Sequence, residues 1–143
     1  MDQLFLIAIF ILIVVILAAG VVIPRFMKNG LADLNAKFKT VYQEFNVAMH
    51  ESNSELQQLK LQKVISRFDN LIGNILEAYG CNDPSVNQRI RQAMQKKIIT
   101  YEQFQVVKAM HLVRNKVVHE DKHLTSEDIR LIAESFQIIG KLF

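Results

Sequence analysis

The feature that most constrains this chain is an apolar stretch near its N-terminus, from Leu4 to Ile23. It contains no charged residue and no side chain that forms strong hydrogen bonds. A helix of about 20 residues rises about 30 Å, which matches the hydrocarbon core of a bilayer. Helices of water-soluble domains are rarely apolar on every side. The sequence therefore predicts a single transmembrane helix within residues 1–28, with Leu4–Ile23 in the membrane.

A cleaved secretory signal is the alternative interpretation of this stretch, and the small residues 18–20 would suit a cleavage site. However, a signal peptide has a positive leader and a shorter apolar region, and residues 1–3 include no Lys or Arg. We therefore expect a retained anchor. Because Arg25 and Lys28 follow it and positive residues stay on the cytoplasmic side, we expect a single-pass inner-membrane protein whose C-terminal domain lies in the cytoplasm.

The remaining composition places few limits on function. Cys81 is the single cysteine of the chain, which excludes a disulfide framework and a cysteine metal cluster. The formal net charge of +3 is mild. It is compatible with RNA or an anionic lipid surface as a partner, but it requires neither of them.

Residues 31–48 carry apolar side chains at alternating spacings of three and four, which is a heptad pattern. The pattern fits two structures equally well. One is a helical stalk over residues 29–53 that forms a short coiled coil with a second copy, and the other is a helix packed on its own domain. The polar run from Ser52 to Ser54 predicts a break and a new helix start.

Residues 54–143 predict a small all-α helical bundle without a convincing strand. The first helix runs from about Ser54 to Tyr79 and ends at Gly80. Asp83 and Pro84 predict the cap and first residue of a short helix that ends near Lys97. Two further helices begin at capping sequences. They start at Thr100, with Phe104, Val107, Met110, Val113 and Val117 inward, and at Thr125, with Ile129, Ile132, Phe136 and Ile139 inward.

The sequence LVRNKVVHEDKHL, residues 112–124, contains two overlapping motifs that share His119. His119, Glu120 and His123 form an H-E-x-x-H string, which holds zinc in proteases when both histidines lie on one face of a helix. The two intervening positions are charged here, and the cap at Thr125 predicts that residues 120–124 form a turn. We therefore expect no metal and no other cofactor.

Arg114, Asn115 and His119 form the second motif, R-N-x-x-x-H, and are the candidate catalytic residues. RNA cleavage through the 2′-hydroxyl needs a proton acceptor, a proton donor and positive charge on the phosphate. Histidine titrates near neutrality, and arginine grips phosphate oxygens in a planar fork. Asn115 would orient the histidine or hold the substrate. Because residues five apart on a helix differ by about 140° in direction, a site shared between two subunits suits the pair better.

This motif on the penultimate helix, followed by a polar turn and a capped last helix from Ser126 to Phe143, resembles the HEPN superfamily. The resemblance covers roughly residues 54–143. It implies an HEPN-like bundle, a metal-independent RNA endonuclease and a composite site in a homodimer. Many members of the family act as toxins or in defence against phage. The N-terminal anchor is not a usual part of the family pattern.

Many HEPN members have lost catalysis, so the alternative is an inactive binding or scaffold module at the inner membrane, with an unknown protein partner. Two weaker indications accompany the motif. His111 is either a second polar residue at the rim of the site or a surface side chain. Arg89, Arg91, Lys96 and Lys97 are either an RNA-facing patch or a solvated helix face.

Overall fold

The computed structural model describes the backbone of residues 3–120 and 122–143, with side chains outside the description at residues 3–9, 12 and 16–29. The described residues form helices and no strands, which confirms the all-α prediction. In chain order, the helices of this described part are α1 (Gln3–Met49), α2 (Ser54–Ala78), α3 (Val86–Gln95), α4 (Tyr101–Glu120) and α5 (Ser126–Gly140).

The predicted inner-membrane localisation is contradicted. Within the described part of the chain, no helix is long and apolar enough to cross a membrane. A helix that crosses a bilayer needs about 20 successive apolar residues. Most side chains of Leu4–Ile23, together with Arg25 and Lys28, on which the prediction rested, lie outside the described residues.

The second half of α1 packs on the rest of its own domain. Phe38, Val41, Phe45 and Ala48 are buried, and their spacings of three and four place them on one face of the helix. They belong to the same apolar core as α2 and α5. Of the two structures that fitted the heptad pattern, the helix packed on its own domain is the one observed for this face. The predicted boundaries between the three segments of the chain, at residues 28 and 53, stay a prediction.

Aromatic side chains join α1, α2 and α5 at the centre of the core. The rings of Phe68 on α2 and Phe136 on α5 stack with centroids 3.7 Å apart and planes 8° from parallel. Phe38 on α1 meets Phe136 edge-on at 5.8 Å. Edge-on and stacked pairs add to the apolar burial of each ring, so Phe136 connects all three helices.

The capping sequences of α4 and α5 form as predicted. The Thr100 hydroxyl accepts the Gln103 N–H at 3.2 Å, and the Gln103 side chain accepts the Thr100 N–H at 2.9 Å. Thr125 and Asp128 make the same two bonds at 3.2 and 2.8 Å. Both boxes satisfy amide groups that have no partner inside the helix.

The predicted start of α3 is wrong by two residues. Ser85, not Asp83, caps this helix, since the Ser85 hydroxyl accepts the Gln88 N–H at 3.2 Å. Pro84 therefore lies before the cap rather than at the first helical position. At the other side of this connection, Gly80 ends α2 as predicted, with a φ of +83° that favours glycine.

Candidate functional site

Helix α4 carries all three predicted site residues, and its orientation is set by its apolar face. All five residues that were predicted to point inward are buried: Phe104, Val107, Met110, Val113 and Val117. This face packs against α2, α3 and α5. The motif residues therefore lie at the border of the core or on the open side of the helix.

Arg114 and Asn115 lie together at this border. One terminal nitrogen of Arg114, Nη1, donates a hydrogen bond to Asn115 Oδ1 at 2.9 Å. The Arg114 side chain is 24% exposed. Part of the side chain therefore reaches solvent, where a planar guanidinium can bind two oxygens of a phosphate or carboxylate.

His119 does not join this pair. It lies exposed in the last turn of α4, about 140° around the helix from Arg114. Among the described residues, no hydrogen bond connects it to Arg114 or Asn115. One subunit therefore brings two of the three predicted residues together and leaves the histidine apart.

Two residues that the motif did not include complete the site. Asp69 on α2 is 2% exposed, and its Oδ1 lies 2.8 Å from Nδ1 of His111 on α4. The His111 side chain is only 13% exposed. The interpretation of His111 as a surface side chain is therefore wrong, because its ring is held against a buried carboxylate.

These contacts form a closed ring of four residues, which we call the Asp69 network: Asp69, His111, Asn115 and Arg114. Asn115 Nδ2 lies 3.4 Å from His111 Nε2, and Arg114 Nε lies 3.8 Å from Asp69 Oδ2. This Nε is buried and has no hydrogen-bond partner among the residues that the structure describes. A buried carboxylate is costly unless it is paired and hydrogen-bonded, and the network supplies both through His111 and Arg114.

Two of the four basic residues of α3 and its C-terminal turn form hydrogen bonds within the protein. Arg89 donates to the carbonyls of Asp83 and Gly73 at 2.7 and 3.0 Å and pairs with Glu77. Lys96 donates to the Gly80 carbonyl. These two side chains fix the connection between α2 and α3, and Arg91, Lys96 and Lys97 are exposed there.

The residues of the H-E-x-x-H string lie at the end of α4 and beyond it. His119 and Glu120 are the last residues of the helix, and residues 122–124 are not helical. A hydrogen bond from Lys122 lowers the pKa of Glu120. Among residues 3–120 and 122–143, no three His, Cys, Asp or Glu side chains group closely enough to hold a metal ion.

Comparison with protein-family models, with curated proteins and with solved structures gives no match to this chain.

Proposed function

We propose that this chain is a metal-independent RNA endonuclease of HEPN type that acts as a homodimer. The observation that carries the proposal is the Arg114–Asn115 contact at the border of the core, on the helix that also exposes His119. Arginine supplies positive charge for the phosphate, and histidine transfers protons near neutral pH. The HEPN resemblance of the motif supports the same residues in these roles.

The reaction needs no metal ion and no second substrate besides RNA. A base removes the proton of the 2′-hydroxyl, whose oxygen attacks the adjacent phosphorus. The bond from phosphorus to the 5′-oxygen then breaks, and an acid protonates that oxygen. The products are a 2′,3′-cyclic phosphate and a free 5′-hydroxyl. His119 serves as one of the two proton-transfer groups, and Arg114 stabilises the charge on the phosphate.

A dimer would bring these groups together. In an antiparallel pair of α4 helices with a two-fold axis near Asn115, residues a few positions after 115 lie level with residues a few positions before it in the other copy. The partner subunit's His119 then lies level with His111, three residues or about 4.5 Å along the helix from Arg114, which is within reach of the long arginine side chain. Leu112 and Val118, which are 56% and 45% exposed, would supply apolar contacts on either side of this axis.

The second candidate is a helical-bundle binding or scaffold module without catalysis. The Asp69 network favours it, because Arg114 is partly engaged by Asp69 and Asn115 within one subunit. An arginine held in this way stabilises a buried carboxylate even when no substrate is present.

Cleavage of single-stranded RNA by the full chain in EDTA separates the two candidates. Phe38, Val41, Phe45 and Ala48 of α1 belong to the core, so the full chain is the appropriate material. We expect cyclic phosphate ends, and we expect His119→Ala to slow cleavage at least about 100-fold without loss of helicity. His50→Ala, an exposed histidine at the end of α1, is the matched control and should cleave normally.

Two outcomes would contradict the nuclease. A wild-type chain that is folded and dimeric but inert on many RNAs would favour the binding module. Activity that EDTA abolishes and zinc restores would favour the H-E-x-x-H interpretation. A role in defence or in a toxin-like system rests on the same resemblance. Growth arrest on expression of the wild type, but not of His119→Ala, would support that role.

A further inference from the structure

We propose that His111 and Asp69 are the positioning pair of this site, and that they act through Asn115 to hold Arg114 ready for an RNA phosphate. The inference rests on the proposed nuclease, since it names residues that prepare its phosphate-binding group. It starts from the four contacts of the Asp69 network, which joins α2 to α4 across 42 residues of sequence.

The first step is the protonation of the His111 ring. An ionised carboxylate can only accept hydrogen bonds. The 2.8 Å contact between Asp69 Oδ1 and His111 Nδ1 therefore requires the proton to be on Nδ1. In the neutral ring, Nε2 is then a bare acceptor.

The second step is the orientation of Asn115. Its Nδ2 faces the bare Nε2 of His111 at 3.4 Å, and its Oδ1 accepts from Arg114 Nη1 at 2.9 Å. The reverse amide orientation would place an N–H group against the guanidinium, and both groups are donors. The tautomer of His111 thus fixes the orientation of the Asn115 amide, and the amide fixes the position of Arg114 Nη1.

The third step concerns the part of the Arg114 guanidinium that is left free for a ligand. Its Nε is buried and lies 3.8 Å from Asp69 Oδ2. The side chain as a whole is 24% exposed. The protein therefore bonds the guanidinium at Nη1 and covers it at Nε, and the remaining N–H groups are those left for phosphate oxygens. Holding the side chain before binding reduces the conformational entropy that binding would otherwise cost.

Two substitutions of His111 separate positioning from simple packing. In His111→Gln, the amide N–H can donate to Asp69 and the amide oxygen can accept from Asn115, which repeats the pattern of the imidazole. His111→Leu keeps an apolar side chain of similar bulk and removes both bonds. Gln105→Leu, on the exposed side of the same helix, is the matched control.

The first measurement does not involve RNA. Nitrogen NMR of the full chain above pH 7 should show His111 with its proton on Nδ1. The buried Arg114 Nε–H should exchange slowly with solvent. We expect His111→Leu to speed this exchange at least about tenfold, and we expect His111→Gln to stay close to wild type. A proton on Nε2, or unchanged exchange in a folded His111→Leu, would overturn the inference.

The second measurement is the affinity for a single-stranded RNA oligonucleotide. We expect His111→Leu to weaken binding about tenfold, His111→Gln to restore most of the affinity, and Gln105→Leu to change nothing. In an Arg114→Leu background, His111→Leu should cause no additional loss, because it acts through Arg114.

The two measurements distinguish failure of the inference from failure of the proposed function. If the wild type cleaves RNA but the losses from His111→Leu and Arg114→Leu add, the nuclease stands and the positioning role falls. If the tautomer and the slow exchange are found but the wild type neither binds nor cleaves RNA, the proposed function falls, and the role of the pair in phosphate binding falls with it.

Discussion

The ammonium of Lys116 lies 3.2 Å from the carboxylate of Asp128, and this ion pair joins α4 to the first turn of α5. The same carboxylate accepts the Thr125 N–H at 2.8 Å in the capping box. Burial acts to raise the pKa of Asp128, but the hydrogen bonds from Thr125 and Lys116 outweigh it and hold the pKa below its ordinary value. Asp128 therefore fastens the loop that follows the motif to α4 and α5, and Gln58 on α2 holds the same loop through two hydrogen bonds with the backbone of Leu124.

This pKa shift predicts a pH-dependent effect of Asp128→Asn. The depressed folded-state pKa gives stabilisation that is complete above about pH 5 and is lost as the pH falls from the ordinary value of 3.8 through the folded pKa. We expect the substitution to lower the free energy of unfolding by about 1 kcal/mol at pH 7 and by less once the pH has fallen below 3.8. Urea unfolding at both pH values measures this, and a difference that does not depend on pH would contradict it.

The matched control is Glu127→Gln at the neighbouring position. Glu127 is exposed and pairs with Arg130 on the surface of α5. Exposed ion pairs contribute little to stability because water and salt screen them. We therefore expect a smaller effect at neutral pH than that of Asp128→Asn.

Two residues with positive φ predict stability changes of opposite sign. Gly80 has a φ of +83°, and Lys97 is the non-glycine residue of the described chain with a positive value, +58°. A side chain in this region costs about 1 kcal/mol or more. Gly80→Ala should lower the free energy of unfolding by about 1 kcal/mol. Lys97→Gly should raise it by about 0.5 kcal/mol, because the relief of strain exceeds the added freedom of the unfolded chain. Thermal unfolding measures both, and destabilisation by Lys97→Gly would contradict the argument.

Substitution of Phe45 tests how much α1 contributes to the stability of the domain. It is 5% exposed, and the centroids of its ring and of the Phe136 ring lie 5.2 Å apart. Phe45→Ala should leave a cavity and lower the free energy of unfolding by about 3–5 kcal/mol. Val47→Ala, two residues away at a side chain that is 62% exposed, should change it by less than about 0.5 kcal/mol. Equal effects in urea unfolding would show that the α1 face is not part of the folded core.

The sequence predicts the parts of this fold that depend on local patterns. The capping boxes at Thr100 and Thr125 and the inner face of α4 could be identified because each involves residues within a few turns of one helix. Heptad spacing in α1 left two partners equally possible, since the same apolar face suits a second copy or a neighbouring helix. The choice between Asp83 and Ser85 as the cap of α3 depended on backbone geometry that neither residue type fixes alone.

The Asp69 network could not have been predicted from the motif. Asp69 lies between Phe68 and Leu71, which are buried in α2, and periodicity would assign a carboxylate to the exposed side of a helix. Its partner His111 is 42 positions later in the chain. Only the packing of α2 against α4 brings the two together. The one available indication was that His111 is three residues before Arg114, which places them on neighbouring positions of one helix face.

The proposed dimer predicts an effect at Leu112 on α4. Leu112 is 56% exposed and would be covered by the second copy. Leu112→Lys adds a positive charge beside Lys108 and Lys116. This cluster of lysines would repel the same cluster of lysines in the other subunit. We expect this variant to be monomeric at micromolar concentration in light scattering and to lose RNA cleavage. Leu59→Lys, 62% exposed on α2, should remain dimeric and active. A dimer that survives Leu112→Lys would place the interface elsewhere.

Mixing of subunits tests whether Arg114 and His119 act across the interface. Arg114→Ala and His119→Ala should each be inactive alone. In a mixed dimer, one of the two shared sites combines the two mutated positions, and the other combines an intact arginine with the partner subunit's His119. Because half of the dimers in an equal mixture are mixed, re-equilibrated subunits should recover about one quarter of the wild-type activity. A site built within one subunit would recover none, since neither mutant chain carries both residues. Recovery by dimers that exchange subunits, and not by dimers crosslinked before mixing, would establish that the two residues come from different chains.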